Sequence, residues 1–383
     1  MAGILTVHRQ PVQFGSYYNA QSTSRSLVCA SIVGIHRKLR LKCFPDFGQI
    51  PCHPGINMAT FAKTAGHQHR ITPMRDYKLD SEISQFLQDS ERIYPVDAVE
   101  LSMEEHRKHY SALCDAYQAP IPDSIFSTDH EIPGRNGPIP IRIYENHEHR
   151  SPVTIMYLHG GGFILGGLDS HHSICAEIAE RTDFKVVAVD YRLAPEHIYP
   201  VQFEDALDAF LSIDTGHTVV VGDSAGGTLA AALCVAQRGS DRQPVGQVLI
   251  YPSLGGQYLN LDSYKSNHDA PALSTDDVYK YMDLWTGNSP PEHDPIFAPL
   301  MLSDFSDLPP CIAIAAQHDP LRDDVVAWSD RLNQAGVSAS HHVEDGLIHG
   351  YLRARHCSGK AGKSFSRICS GIKELGNSFL DKN

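Results

Sequence analysis

Thr218-Val219-Val220-Val221-Gly222-Asp223-Ser224-Ala225-Gly226-Gly227 begins as a β-branched strand and ends in small residues around a serine. The spacing G-x-S-x-G describes a sharp strand-to-helix turn that points the serine hydroxyl outward, and the small flanking residues let strand and helix approach. Residues 228–237, rich in alanine and leucine, read as the helix. Ser224 is therefore the candidate nucleophile. Two other readings of the run exist, a glycine turn without chemistry and a phosphate-binding loop. The phosphate loop fails because no lysine follows Gly227.

A second motif, His159-Gly160-Gly161-Gly162-Phe163, follows the apolar run 153–158. A dinucleotide loop would need a further glycine at Phe163 or Leu165. The tetrad suits a different task. A serine that adds to a carbonyl carbon leaves a negative oxygen, and backbone N–H groups fixed in advance on glycines hold such an oxygen well. Gly161, Gly162 and the N–H of Ala225 are the candidate oxyanion hole.

Serine is a poor nucleophile at its own pKa and needs a base, which needs an orienting acid. The order expected is serine, acid, histidine. The apolar run 311–316 predicts a buried strand, and Asp319 follows its carboxyl end. Asp323 and Asp324 compete as the acid, but they come after Pro320 and read as the first turn of a helix, where acidic residues suit the dipole. His349 stands 30 residues beyond Asp319, room for one helix and one strand, in a loop before the last helix. Among 22 histidines, His341 and His342 fall inside the strand predicted over 338–343, and His318 precedes the acid. His349 is the expected general base and Asp319 the residue that holds its tautomer. Asp223 reads as a hydrogen-bonding support beside the serine. Asp190, Arg192 and Glu196 read as one ion-pair network beneath the oxyanion turn.

These residues resemble the hormone-sensitive lipase family of α/β-hydrolases, in its bacterial-type carboxylesterase branch with the serine motif as GDSAGG. Asp190-Tyr191-Arg192-Leu193-Ala194-Pro195-Glu196-His197, Tyr251-Pro252-Ser253, Asp294-Pro295 and Leu308-Pro309-Pro310 look like further landmarks in the family's order. The resemblance covers roughly residues 81–355 and shows no departure at the catalytic positions. It implies an α/β-hydrolase fold, short acyl esters as substrates, no cofactor, and a helical cap joining early helices to an insertion at about 255–300. Tyr279, Tyr281, Met282 and Trp285, on the helix predicted over 274–285, are candidates for an acyl or alcohol pocket, with ordinary helix core as the other reading.

From residue 74 the pattern alternates as expected of a mostly parallel central sheet flanked by helices. Helices are predicted over 80–90 and 102–117, an opening hairpin over 128–132 and 139–144, then strands over 153–158, 185–190, 218–221, 247–251, 311–316 and 338–343. With the cap that the resemblance implies, residues 74–125 are its early contribution and residues 126–378 the catalytic domain. Residues 1–73 stand apart. Residues 1–78 carry a net charge of +8 while the remainder carries −21. A basic extension of this kind reads as a targeting arm, an irregular appendage, or an upstream read-through with translation starting at Met74.

A net charge of −13 gives a nucleic-acid partner no electrostatic support. No apolar run reaches the ~18 residues of a membrane span. The nine cysteines, odd in number and without framework spacing, predict thiols and a cytoplasmic location. Cys43, Cys52, His53, His67 and His69 are too irregularly spaced for a zinc site, and no metal is expected. Oligomeric state stays open, a homodimer included. The expected function is a serine carboxylesterase acting through an acyl-enzyme on small-molecule esters of short to medium acyl chain. An amidase or aryl formamidase with the same triad is the enzymatic alternative. A small-molecule binding protein on a hydrolase scaffold is the alternative from another class.

Overall fold

The run that begins at Thr218 is the strand β5, Thr218–Asp223, and every residue in it is buried. Its neighbours explain why it is apolar on both faces. β3, Thr154–Leu158, pairs parallel to it on one side, and β6, Gly246–Ile250, on the other. Successive side chains of a strand point to opposite faces, and the packing follows that alternation. Met156, Leu158, Val220 and Leu249 join one core layer, while Ile155, Tyr157, Val219 and Val248 join the other.

The computed structural model describes residues 77–95, 97–148, 151–213 and 216–380. The basic extension 1–73, its cysteine and histidine group, and Met74 lie outside these residues. Among the described residues, eight strands form one sheet in the order β1-β2-β4-β3-β5-β6-β7-β8. The opening hairpin, β1 at Ile125–Ile132 and β2 at Ile139–Asn146, is antiparallel, and β2 runs antiparallel to β4 at Lys185–Val189. From β4 across β3, β5, β6 and β7 (Cys311–His318) to β8 (Ala339–Ile348), all pairs are parallel. The predicted mostly parallel α/β sheet is the one observed.

Helices cover both faces. α3 (His172–Thr182) and α9 (Gly359–Leu380) pack on one face, whereas α4 (Val201–Ile213), α5 (Ala225–Ala236) and α8 (Arg322–Gln334) pack on the other. α5 is almost wholly buried and its residues are mostly alanine, leucine and glycine, which pack closely and favour helix. Two earlier helices, α1 (Ser81–Ile93) and α2 (Met103–Ala116), start on side-chain caps from Asp80 and Ser102, each accepting a first-turn N–H. Between β6 and β7 come the short α6 (Ser263–Ser266) and α7 (Thr275–Thr286), which opens on a reciprocal capping box between Ser274 and Asp277.

Register, more than any single contact, gathers the site. Leu158 pairs with Gly222, so His159 and Asp223 emerge side by side at the carboxyl edge. His318 pairs with Ile348 after a bulge, so Asp319 and His349 leave the sheet together.

Candidate active site

Ser224 sits between β5 and α5 with φ 52° and ψ −122°. A non-glycine residue held there costs on the order of 1–3 kcal/mol, which the surrounding packing must supply. Its neighbours show how the turn is made possible. A Cβ on Gly222 would lie 2.3 Å from the Gly226 carbonyl oxygen, and one on Gly226 would lie 1.9 Å from that of Leu158. Only glycine lets α5 come this close to β3. Ser224 N–H donates to the Ile250 carbonyl at 2.8 Å, tying the turn to the adjacent strand.

His349 lies one residue past β8 and bridges the other two groups. Its Nε2 stands 2.9 Å from Ser224 Oγ, and its Nδ1 stands 2.7 Å from Asp319 Oδ2. Asp319 is fully buried and His349 only 12% exposed, so this charge-assisted bond is shielded from water. The second carboxylate oxygen of Asp319 accepts the Leu321 N–H at 2.8 Å. Asn267 reaches in from the segment between α6 and α7 and donates to the carbonyls of Gln317 and Asp319 at 3.2 and 3.0 Å. The Tyr251 ring packs against the imidazole, 4.7 Å between centroids. Acid, base and hydroxyl are thus locked in one line.

Gly161 and Gly162 adopt φ +128° and +59°, values that favour glycine. Their turn closes when the N–H groups of Ile164 and Leu165 both donate to the Gly161 carbonyl. Gly161, Gly162 and Ala225 all line the cavity that holds Ser224. Among the described residues, none of their three N–H groups donates to an acceptor within the chain. Asp223 holds this turn to the serine turn, since its Oδ1 accepts the Tyr157 hydroxyl at 2.8 Å and the Gly160 N–H at 3.0 Å. His171 Nε2 lies 3.2 Å from the same oxygen. Burial opposes a charge on Asp223, but His171 and the Tyr157 hydroxyl outweigh it and hold the carboxyl well below the usual range.

The single network expected of Asp190, Arg192 and Glu196 is not present, because Arg192 and Glu196 each pair outside the trio. Arg192 pairs with the buried Asp205 on α4 at 2.7 Å. Glu196 takes Arg107 from α2 at 2.7 Å. Burial pushes the Asp190 carboxyl up to about 6, with Asp169 adding to the rise. Arg107 also donates to the carbonyls of Ile164 and Ala194, which docks α2 onto the oxyanion turn.

Asp323 and Asp324 do open α8, yet they serve more than its dipole. Asp323 accepts the Ser263 N–H, while Asp324 Oδ2 accepts N–H groups from Leu254 and Gly256 and the Tyr264 hydroxyl. Asp324 Oδ1 is buried and unpartnered, as suits a carboxyl carrying its proton there. Burial pushes it up to about 7, against the pull of the Leu254 and Gly256 N–H groups. The folded chain therefore binds this proton more tightly than the unfolded chain does. The stability that Asp324 contributes falls as pH rises from about 4 through 7. Relative to Asp324→Asn, wild type is expected to lose on the order of 2–4 kcal/mol between pH 5 and 8. Urea unfolding of both proteins across that range checks it, and a constant difference would refute a titrating Asp324.

Of the four pocket candidates on α7, Tyr281 and Met282 line the cavity. Trp285 is instead buried core, stacked on Phe163 at 3.5 Å, and Tyr279 is 45% exposed. The cavity has a volume of about 470 Å³. α1 and α2 supply Phe86, Leu87, Tyr110 and Leu113 to its wall. Over Ser224 the two roof segments meet where the Tyr94 hydroxyl approaches His106 Nε2 at 2.5 Å and the Tyr281 hydroxyl at 3.5 Å. The Tyr281 ring lies directly against Gly162, where a Cβ would meet it at 2.5 Å. No group of three or more His, Cys, Asp or Glu side chains suited to a metal occurs among the described residues. Nor is any helix there long and apolar enough to cross a membrane.

A family model described as alpha/beta hydrolase fold matches residues 155–353. Esterase LipI of Mycobacterium tuberculosis is 38% identical over 256 residues, covering 63% of this chain and 79% of the relative. The ethyl acetate hydrolase of Pseudomonas putida is 32% identical over 300 residues, covering 74% and 93%. Among solved structures, an esterase of Pyrobaculum calidifontis superposes with a TM-score of 0.69 at 31% identity, covering 78% of this chain and 99% of that one.

Proposed function

This chain belongs to the α/β-hydrolase family and is a carboxylic ester hydrolase of the hormone-sensitive lipase type, and from that premise we propose that Ser224, His349 and Asp319 are its catalytic triad. The observation that carries the reading is the unbroken line of hydrogen bonds from Asp319 through His349 to Ser224. Asp319 keeps the proton of the neutral imidazole on Nδ1, leaving Nε2 to take the serine proton as Oγ bonds to the ester carbonyl carbon. The carbonyl π pair moves to oxygen, where the N–H groups of Gly161, Gly162 and Ala225 receive it. The C–O bond to the alcohol then breaks and His349 gives its proton to the leaving oxygen. Water repeats the sequence on the acyl-enzyme and frees the acid.

Residues 126–378 act as the catalytic unit in this reading, with 74–125 and 255–300 as its cap. Its support is that both cap segments line the cavity above Ser224. A cytoplasmic location is supported by six free cysteines among the described residues, five of them buried.

The cavity, at about 470 Å³, lies in the lower half of the range of small-molecule sites, ~300–1,000 Å³. It suits short to medium acyl chains. Turnover of p-nitrophenyl esters is expected to favour hexanoate over hexadecanoate by about tenfold or more in kcat/KM. Equal rates would sink the length preference. The triad itself is tested by a fluorophosphonate probe and peptide mass mapping. The adduct is expected on Ser224, and an adduct elsewhere or none on folded protein would overturn the assignment.

A further inference from the structure

Arg353 sits on the short 3-10 turn Tyr351–His356 that follows His349, and it lines the same cavity as Ser224. Its guanidinium lies over the Tyr110 ring, 5.0 Å from the centroid. Nη2 donates to the Tyr110 hydroxyl at 2.8 Å and Nη1 to the Ser170 carbonyl at 3.0 Å. Both partners are neutral, since burial pushes the Tyr110 phenol further above its ordinary range. Other arginines near the sheet behave differently. Arg107, Arg142, Arg192 and Arg355 each close on a carboxylate at 2.6–2.7 Å.

Arg353 has no carboxylate partner among the described residues. Asp223, whose field reaches it, is already engaged by Tyr157, Gly160 and His171. The acids that line the cavity stand on other segments. Asp277 caps Ser274, Asp269 accepts the Tyr77 hydroxyl, and Glu91 faces solvent. A guanidinium has five N–H donors in a planar fork, and only two bonds are made here. The cavity it shares with Ser224 is lined by apolar Leu113, Ile174 and Leu352, while Asp223 and His171 act on the guanidinium through their fields. Three N–H donors of this half-buried guanidinium are therefore left over on the cavity wall, and a carboxylate, which can take two of them at once, is the group that matches them best.

We propose that the cavity takes esters that carry a carboxylate away from the scissile bond, with Arg353 as the residue that selects them. The proposal rests on the esterase reading of Ser224. It changes the expected substrate from a neutral ester to a half-ester of a dicarboxylic acid or the acyl ester of a hydroxy acid.

Two isosteric pairs test it on the full chain in a pH-stat assay. Monoethyl adipate against ethyl hexanoate probes the acyl side, and 4-acetoxybutyrate against butyl acetate probes the alcohol side. Wild type is expected to favour the carboxylate member of at least one pair in kcat/KM. In Arg353→Met the ratio within that pair should drop by about tenfold or more, and Arg353→Lys should recover part of it. A merely structural Arg353 would lower both members together, and an unchanged ratio overturns the proposal. So does a wild type that rejects both carboxylate esters, whether or not the variants fold. Failure of the esterase reading itself would look different, with none of the four esters turned over.

Discussion

Ser224→Ala is expected to lower kcat for a short p-nitrophenyl ester by about 10⁵–10⁶-fold. The hydroxyl is the group on this turn placed to bond to the carbonyl carbon, and among the described residues no other hydroxyl is hydrogen-bonded to His349 Nε2. The glycine N–H groups survive the change, so a residual rate about 10³-fold over water should remain. Folding should be nearly untouched. The Ser224 side chain makes no helix-capping bond, and alanine meets the same backbone conformation with no more strain than serine. Unfolding free energy is expected to shift by less than about 1 kcal/mol. Steady-state rates on protein checked by circular dichroism decide the matter. Undiminished turnover would remove Ser224 from the mechanism.

Asp319→Asn should cost about 10⁴-fold in kcat with little change in KM, and the structure says why so small an edit does so much. One carboxylate oxygen accepts the Leu321 N–H at 2.8 Å and the other accepts His349 Nδ1–H at 2.7 Å. An asparagine must keep its carbonyl oxygen toward Leu321, because an NH₂ there would oppose a backbone donor. Its NH₂ then faces Nδ1, which has to become an acceptor, and the imidazole proton moves to Nε2. His349 would donate to Ser224 rather than accept from it. A loss under about tenfold would show that Asp319 does not set the tautomer.

The sheet was legible because its strands are long β-branched runs between turn signals, and parallel central strands need no alternation to be recognised. β8 outran its expected end at Val343 and continues to Ile348. Glu344-Asp345-Gly346 has the composition of a turn, but Glu344 still pairs with Ala316 and pairing resumes at Ile348 beyond the bulge, which keeps the segment in the sheet. That Ser224, Asp319 and His349 would meet was readable for a related reason, since each follows a strand and the register brings strand ends together. What local sequence does not encode is the partner of a charge. Arg107 joins Glu196 across 89 residues, and Asp223 finds Tyr157 66 residues away.

The roof shows the same limit. Nothing near Tyr94 announces that it meets Tyr281, 187 residues on. For Trp285 the sequence leaves both pocket and helix core open, because an aromatic at helical spacing carries no mark of which side it faces, and the structure bears out the core reading. Its stacking on Phe163 follows from the turn after the glycines, where Phe163 itself takes φ 65°. His171 had a sequence signal, one of two adjacent histidines just beyond the glycine turn, but its bond to Asp223 depends on how the β3 and β5 edges align.

The roof over the cavity comes from two stretches that contribute no strand to the sheet, one ahead of it and one inserted within it. The proposed bond-breaking groups instead stand on turns whose geometry is dictated by neighbouring strands. The shape of the entrance and the reactivity are therefore written in separate parts of the chain, with the proposed selector Arg353, on the turn after His349, as the exception. Changes confined to α1, α2 and α7 can retune which esters enter while the strained serine and its hydrogen-bonded line keep their form, so this architecture can acquire new substrates without relearning its chemistry.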